Sequence, residues 1–304
     1  MIPAMPQTLR FARRIAEGMA RRLNTLERTV SPELERAEHD QAVVHAMNNY
    51  NMVTEPDEPY YARQYLRFIV PELERRYPDR RVSILDLGCG QGRLALPLAR
   101  WCSQAGGSVT GVDLTPAAVA QAEAYAAAER VGNVKFIAKD AVDFVREAPA
   151  DSAHAILFAE VTFFMPSYRE VLKELARLLR PGGVAFIAFR SQYYNLLQLM
   201  LSRSWENAQQ CLAEREGHIF GGPIGFAWQT LEEIPPLLES FQLRARRVLG
   251  IGVLSGIKGD ARGNILHPAA LSSEDQDKLM ELECAAAERY AACGRYMLTI
   301  AERA

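Results

Sequence analysis

The feature that most constrains the fold of this chain is a glycine-rich turn that follows a short apolar run. Residues 84–94 read Ile-Leu-Asp-Leu-Gly-Cys-Gly-Gln-Gly-Arg-Leu, with glycines at 88, 90 and 92. Such a run is typical of a buried strand, and glycine lets the backbone of the turn approach a ligand without a Cβ clash. The helix that follows points its free amide groups at the same place. The segment therefore predicts a strand, a turn and a helix that together bind a cofactor.

Short apolar runs alternate with helical patterns from residue 81 onward, which is typical of a parallel sheet with crossover helices. We predict helices at 33–47 and 58–77, and a later helix at about 272–292. The strand candidates are 82–87, 108–113, 134–138, 153–159, 184–189, 241–250 and 296–301. The pattern as a whole predicts an α/β fold.

The spacing of the glycines separates two kinds of cofactor turn. Dinucleotide-binding domains favour G-x-G-x-x-G, whereas the turn here reads G-x-G-x-G and begins with Asp86–Gly90. It resembles motif I of the class I S-adenosylmethionine (SAM)-dependent methyltransferases. Both cofactors need an acidic residue after the second strand to accept the ribose hydroxyls, and Asp113 stands there. Asp140 after the third strand and the turn Leu178–Gly183 follow in the family's order, whereas Glu160 after the fourth strand departs from the Asp or short polar motif that many members carry there.

The resemblance implies a Rossmann-like, doubly wound, mainly parallel sheet of seven strands, with an N-terminal helical cap and C-terminal insertions. We expect the cap at 1–80, the SAM-binding core at 81–190, and a substrate-cap segment that also completes the sheet at 191–304. The cofactor it implies is SAM, with S-adenosylhomocysteine as the product.

The cofactor-binding residues that the resemblance implies lie at the ends of the first four strands. Three of them have a structural alternative, because Asp140 could simply cap the next helix, Asp86 could bond the turn amides, and Cys89 could be a small packing residue. The full set is Asp86, Gly88, Cys89, Gly90, Asp113, Leu114, Asp140, Ala141 and Phe158.

The function that the resemblance implies is methyl transfer to a small acceptor by in-line displacement, with catalysis mainly by proximity and orientation. Aromatic residues favour an apolar or aromatic acceptor, such as a natural-product intermediate, an isoprenoid or a lipid-like molecule. The alternative is a SAM-binding sensor or partner subunit without activity. A base is needed only if the acceptor loses a proton, and His218 and Glu160 are the candidates. The substrate-binding candidates are Tyr50, Tyr61, Tyr193, Tyr194 and Trp228, although such residues can also be core.

Composition excludes several other classes of function. The net charge of −2 gives no field for nucleic acid, and no run reaches the ~18 to 20 apolar residues that stable membrane insertion requires. Five scattered cysteines, without metal-ligand spacing, indicate a reducing compartment and no metal, so we expect a cytoplasmic protein. An amphipathic helix at 8–30 could pack on the body of the protein or form a homodimer.

Overall fold

The computed structural model describes residues 32–48, 50–220 and 224–304. The predicted helix at 8–30 lies outside the described residues. A boundary between two compact units falls between Ala42 and Val43. Within the described part of the first unit, residues 32–42 form the beginning of helix α1 (Pro32–Asn48). The second unit contains the sheet and the candidate site.

Helices and strands alternate along the second unit. Helices α2 to α10 are Glu58–Arg76, Ala95–Cys102, Pro116–Ala128, Ala141–Glu147, Tyr168–Leu178, Gln192–Leu201, Trp205–Ala213, Ile234–Glu239 and Ser273–Ala286. Strands β1 to β9 are Ser83–Leu87, Ser108–Asp113, Val134–Ala138, Ala153–Phe158, Leu179–Arg190, Glu216–Gly217, Phe226–Ala227, Leu243–Ile251 and Tyr296–Arg303.

Seven strands form one sheet in the order β3-β2-β1-β4-β5-β9-β8. Neighbours among β1 to β5 pair in parallel, whereas β9 is antiparallel to both β5 and β8. The predicted α/β fold with a mainly parallel sheet of seven strands is thus confirmed. The strand order reverses beside β1, so the carboxyl ends of β1 and β4 flank the crevice where open α/β sheets bind ligands.

The central strands β1 and β4 and the second half of β5 are almost completely buried because both faces of the sheet are covered by helices. One core contains side chains from α2, α3, α4 and α10, and the other contains side chains from α5, α6 and α9. Helix α6 shows the reason in its sequence, since Tyr168, Val171, Leu172 and Leu175 recur at three- and four-residue steps and are all buried. A third, smaller core lies between α7, α8 and the residues at strand β7 of the two-stranded β6–β7 sheet.

The predicted helices and strands agree with the structure to within a few residues, with two exceptions: β5 already begins at Leu179, inside the predicted turn Leu178–Gly183, and the long C-terminal helix ends early. Helix α10 ends at Ala286, and Ala291–Cys293 form a separate single turn of tighter helix. Among the described helices, none is long and apolar enough to cross a membrane. The domain boundaries after residues 80 and 190 stay predictions.

Candidate functional site

The glycine turn has a backbone conformation that demands glycine. Gly88, Gly90 and Gly92 have φ angles of +72°, +51° and +86°, in the left-handed region that L side chains rarely adopt. A Cβ at Gly88 would also lie 2.2 Å from Cγ2 of Val161, which follows β4. The turn after β1 is therefore in direct contact with the loop after β4.

Asp113 ties this turn to the end of β2. Its Oδ2 accepts a hydrogen bond of 2.8 Å from the Gly90 N–H, and its Oδ1 accepts one of 2.8 Å from the Thr115 N–H. Burial raises the pKa of Asp113, against the lowering effect of these two bonds. A carboxylate oxygen has two lone pairs, so each oxygen can still accept a bond from a ligand hydroxyl. The geometry thus fits a ribose at this place.

Asp86 lies in β1 just before the turn, and Cys89 lies within the turn between Gly88 and Gly90. Burial raises the pKa of Asp86 to about 7, while the charge of Arg93 opposes that rise and the charge of Asp113 adds to it. The Cys89 thiol is buried, and burial raises its pKa well above the usual value. This environment favours the packing role of Cys89 over a reactive thiolate.

The third predicted carboxylate, Asp140, caps helix α5. Its Oδ1 accepts hydrogen bonds from the N–H groups of Val142 (2.7 Å) and Asp143 (3.3 Å). The structural alternative that the sequence left open is therefore present, and the contact with adenine stays a prediction. Of the neighbouring predicted residues, Leu114 is partly exposed and Phe158 is completely buried in a core. That burial favours packing over cofactor contact for Phe158.

The segment before α2 lies against the glycine turn. The Met52 N–H donates to Gln91 Oε1 at 3.2 Å, and Gln91 Nε2 donates to the Tyr50 carbonyl at 3.1 Å. The sulfur of Met52 is 3.2 Å from the position of a Cβ on Gly90. The wall on this side of the turn is thus formed by the segment that begins at Tyr50, one of the predicted substrate-binding residues.

A buried ion network lies next to the turn. Arg93 pairs with Glu58 and, at 3.2 Å, with Glu160, and all three side chains are enclosed. The Tyr50 hydroxyl donates to Glu58 at 2.7 Å. Glu160 has a φ of +59°, a conformation that costs energy for a residue with a side chain. Glu160 forms an ion pair with Arg93, and this pairing favours a structural role for Glu160 over the predicted catalytic one.

A cavity of about 710 Å³ opens at the carboxyl end of β5. Most of its described lining residues come from 194–226, and four of the described lining residues are aromatic, namely Phe163, Tyr194, Phe220 and Phe226. Phe163 and Phe226 stack with centroids 5.8 Å apart, and Phe220 meets Phe226 edge-on at 5.3 Å. The size is typical of a pocket for a small molecule. Its charged lining residues are Arg190, Lys258 and Asp260.

The predicted substrate-binding residues are only partly brought together here. Tyr194 lines the cavity and donates from its hydroxyl to Asp260, whereas Tyr193 is about half exposed. Tyr61 and Trp228 are completely buried, and the indole of Trp228 donates to two backbone carbonyls. His218 is exposed and is not among the lining residues. These placements favour packing roles for Tyr61 and Trp228, and nothing in the cavity calls for His218 as a base.

Sequence reasoning missed the cationic side chains of this region. Arg190 ends β5, and its guanidinium carbon is 4.2 Å from the Tyr194 ring centroid. Arg295 immediately precedes β9 and is 4.6 Å from the Tyr61 ring centroid. A charged residue at the end of an apolar strand run was the available signal, but it does not reveal which rings surround the charge.

Comparison with known proteins agrees with this geometry. Residues 84–183 match the family model of a methyltransferase domain. The chain is 30% identical over 145 residues to O-methyltransferase resE of Aspergillus sclerotiorum, covering 43% of this chain and 53% of that protein. It is 30% identical over 133 residues to a ubiquinone biosynthesis O-methyltransferase of Xanthomonas campestris pv. campestris, covering 44% of this chain and 52% of that protein. The chain thus spans about half the length of these curated relatives.

Among solved structures, a SAM-dependent methyltransferase from Mesorhizobium loti has the same fold. It superposes with a TM-score of 0.50 at 15% identity, and the match covers 83% of this chain and 100% of that chain. The glycine turn, the Asp113 carboxylate, the strand order and the domain match all agree. Residues 84–183 thus form a methyltransferase domain, and their glycine turn and sheet order are those of the class I, SAM-dependent type.

Proposed function

We propose that this protein transfers the methyl group of SAM to an oxygen of a small apolar or aromatic acceptor that binds in the cavity at the end of β5. The observation that carries the proposal is that one loop contacts both sites. Val161 lies against Gly88 of the glycine turn, and Phe163, two residues later, lines the cavity. Donor and acceptor would then meet across the loop that follows β4.

On the donor side, the residues fit the cofactor through Asp113 and the left-handed turn. The two Asp113 oxygens would accept bonds from the ribose hydroxyls while they hold Gly90 and Thr115 in place. The absence of a Cβ at Gly88 and Gly90 lets Val161 and Met52 pack against the backbone of the turn. When bound, SAM supplies a methyl group activated by the positive charge on sulfur. The segment at Met52 covers the turn and limits access of water to it.

On the acceptor side, the cavity orients and encloses the substrate. No histidine is among the described lining residues. The Asp260 carboxylate already accepts bonds from the Tyr194 hydroxyl and from the N–H groups of Ile257 and Gly263. We therefore assign catalysis mainly to proximity and orientation, which can contribute about 7–11 kcal/mol in favourable cases, and the proton of the acceptor hydroxyl would pass to water as the O–CH3 bond forms. The names of the two relatives, both O-methyltransferases, support oxygen as the atom that is methylated.

Calorimetry with SAM, S-adenosylhomocysteine and NAD tests the donor half of the proposal. We expect binding of the first two and none of NAD, because the turn lacks the spacing for a pyrophosphate. Binding of NAD without SAM would contradict the proposal.

Mass spectrometry of acceptor mixtures tests the transfer half. A panel of hydroxylated aromatic compounds and hydroxylated isoprenoids is incubated with SAM and the protein, with Asp113→Asn protein as the control. We expect a product heavier by one methylene in at least one mixture. Tight SAM binding without any product across the panel would instead support the non-catalytic sensor or partner subunit.

A further inference from the structure

Three guanidinium groups surround the buried Tyr194 beside the cavity. Arg190 and Arg262 lie 4.2 and 5.9 Å from its ring centroid. The third, Arg295, interacts electrostatically with the Tyr194 hydroxyl, and burial raises the pKa of that hydroxyl against the lowering effect of Arg295 and Arg190. Arg190 and Arg295 also face the same Tyr296 ring, at 4.9 and 5.7 Å. Positive charge is therefore concentrated around Tyr194 and Tyr296, at a wall beside the cavity.

No carboxylate within the described ranges approaches any of these three guanidiniums to 4 Å. Arg262 and Arg295 are nevertheless more than nine-tenths buried, and Nε of Arg295 has no hydrogen-bond partner among the described atoms. The nearby Asp260 carboxylate is bonded to Tyr194 and to backbone N–H groups. Glu160 acts on Arg295 only from beyond ion-pair distance, and a buried charge without a paired counter-ion costs several kcal/mol. A bound anion would remove that cost.

Arg190 is the member of this cluster that lines the cavity. Its Nε donates to Asn195 Oδ1 at 2.9 Å, and its guanidinium stacks on Tyr194 and on Phe163 at 5.3 Å. These contacts fix the plane of the guanidinium and leave the terminal nitrogens without a described acceptor. A fixed guanidinium fork matches the two oxygens of a carboxylate. Nε2 of Gln198, which also lines the cavity, is a further donor without a described partner.

We propose that the acceptor carries a carboxylate, bound by Arg190, on an aromatic or apolar body that lies against Phe163 and Phe226. The buried charge of Arg295 favours an anion at the same wall. Lys258, exposed at the cavity lining, attracts the anion during entry. This inference rests on the proposed function and names its substrate class as acidic, where composition and aromatic content had indicated only an apolar one.

The test uses the full chain saturated with S-adenosylhomocysteine and two fluorescent probes that differ only in charge, 6-hydroxy-2-naphthoate and 6-hydroxy-2-naphthamide. We expect the carboxylate to bind at least about tenfold more tightly than the amide, since charge-assisted bonds are roughly twice as strong as neutral ones. Arg190→Gln should reduce this ratio to within about twofold, and Arg190→Lys should keep part of it. Arg289→Gln is the matched control, because Arg289 is exposed and stacks on Tyr290 at 5.5 Å. It should leave the ratio unchanged.

The other outcomes each overturn the inference in a distinguishable way. Equal binding of the two probes by the wild-type protein would show that the wall does not select an anion, whether or not Arg190→Gln folds. Loss of S-adenosylhomocysteine affinity in Arg190→Gln would show that the cation serves the carboxylate of the cofactor. Binding of 2-naphthyl phosphate at least tenfold more tightly than the naphthoate would replace the carboxylate with a phosphate. Failure of the wild-type protein to bind S-adenosylhomocysteine would contradict the proposed function first.

Discussion

The Gly88→Ala substitution tests how closely the loop after β4 packs against the glycine turn, through its effect on the free energy of unfolding. Alanine at a φ of +72° costs about 1–2 kcal/mol from backbone sterics alone. The new Cβ would also lie 2.2 Å from Val161 Cγ2, and overpacking of this kind typically costs about 1–3 kcal/mol. We therefore expect Gly88→Ala to lower the free energy of unfolding by about 2–5 kcal/mol in total.

Two further variants separate the backbone cost from the clash. Gly106 has a φ of +77°, with no atom within 4 Å of its Cβ position, so Gly106→Ala should show the backbone cost alone. In Gly88→Ala/Val161→Ala the atoms at 2.2 Å and one of those at 3.3 Å are gone, while Val161 Cβ stays at 3.3 Å. We expect this double variant to be more stable than the sum of its single variants predicts, by about 1–3 kcal/mol.

Urea unfolding followed by tryptophan fluorescence gives the four free energies of this cycle, and calorimetry gives the affinity for S-adenosylhomocysteine in each variant. Additivity within about 0.5 kcal/mol would refute the contact between the turn and the loop. A Gly88→Ala cost no larger than that of Gly106→Ala would refute it as well. If the contact holds the turn in its binding geometry, the affinity should recover partly in the double variant.

Three other substitutions test separate parts of the site. Asp113→Asn should weaken S-adenosylhomocysteine binding at least about tenfold, through loss of charge-assisted bonds. The control is Asp143→Asn, at an exposed position, which should leave the affinity unchanged. Unchanged affinity in Asp113→Asn would contradict the assignment. Burial raises the pKa of Asp86 from 3.8 to about 7, so its stabilising contribution is complete below pH 3.8 and is lost as the pH rises through about 7. Asp86→Asn should therefore gain stability relative to the wild type between pH 5 and pH 8, by up to about 3 kcal/mol, in urea unfolding, and a pH-independent difference would contradict the shift. Glu160→Gln should cost about 1–3 kcal/mol of stability but change the turnover number less than about tenfold; a loss of turnover without a loss of stability would restore the catalytic role.

The fold could be predicted from the sequence, and a candidate donor site could be located, because their determinants are local. Strand ends are marked by changes from apolar runs to turns, and a left-handed turn needs glycine wherever the rest of the chain goes. Asp113 could be found because the end of the second strand lies beside the glycine turn in any parallel sheet of this order.

The acceptor side could not be predicted in the same way, because its determinants are distant in sequence. Whether an aromatic residue is core or cavity wall depends on packing, so Trp228 and Tyr194 looked alike although the first is enclosed by α7, α8 and the β7 strand and the second lines the cavity. The charge environment of Arg190 depends on Arg295 and Asp260, which lie 70 or more positions away. His218 stood out only by residue type, and its exposed position shows how little that reveals.

The reversed direction of β9 explains why the cations collect at this edge. In the parallel part of the sheet only the carboxyl ends of strands reach the ligand edge, but an antiparallel strand brings its first residue there instead. Arg190 at the end of β5 therefore pairs in register with Tyr296 at the start of β9, and Tyr296 pairs with Ile251 at the end of β8. Arg295 precedes Tyr296 at the same edge. The candidate donor site thus lies at β1, β2 and β4 and the cationic wall at β5, β9 and β8. If the proposed function holds, substitutions in the second group should change the choice of acceptor while leaving the affinity for SAM unchanged.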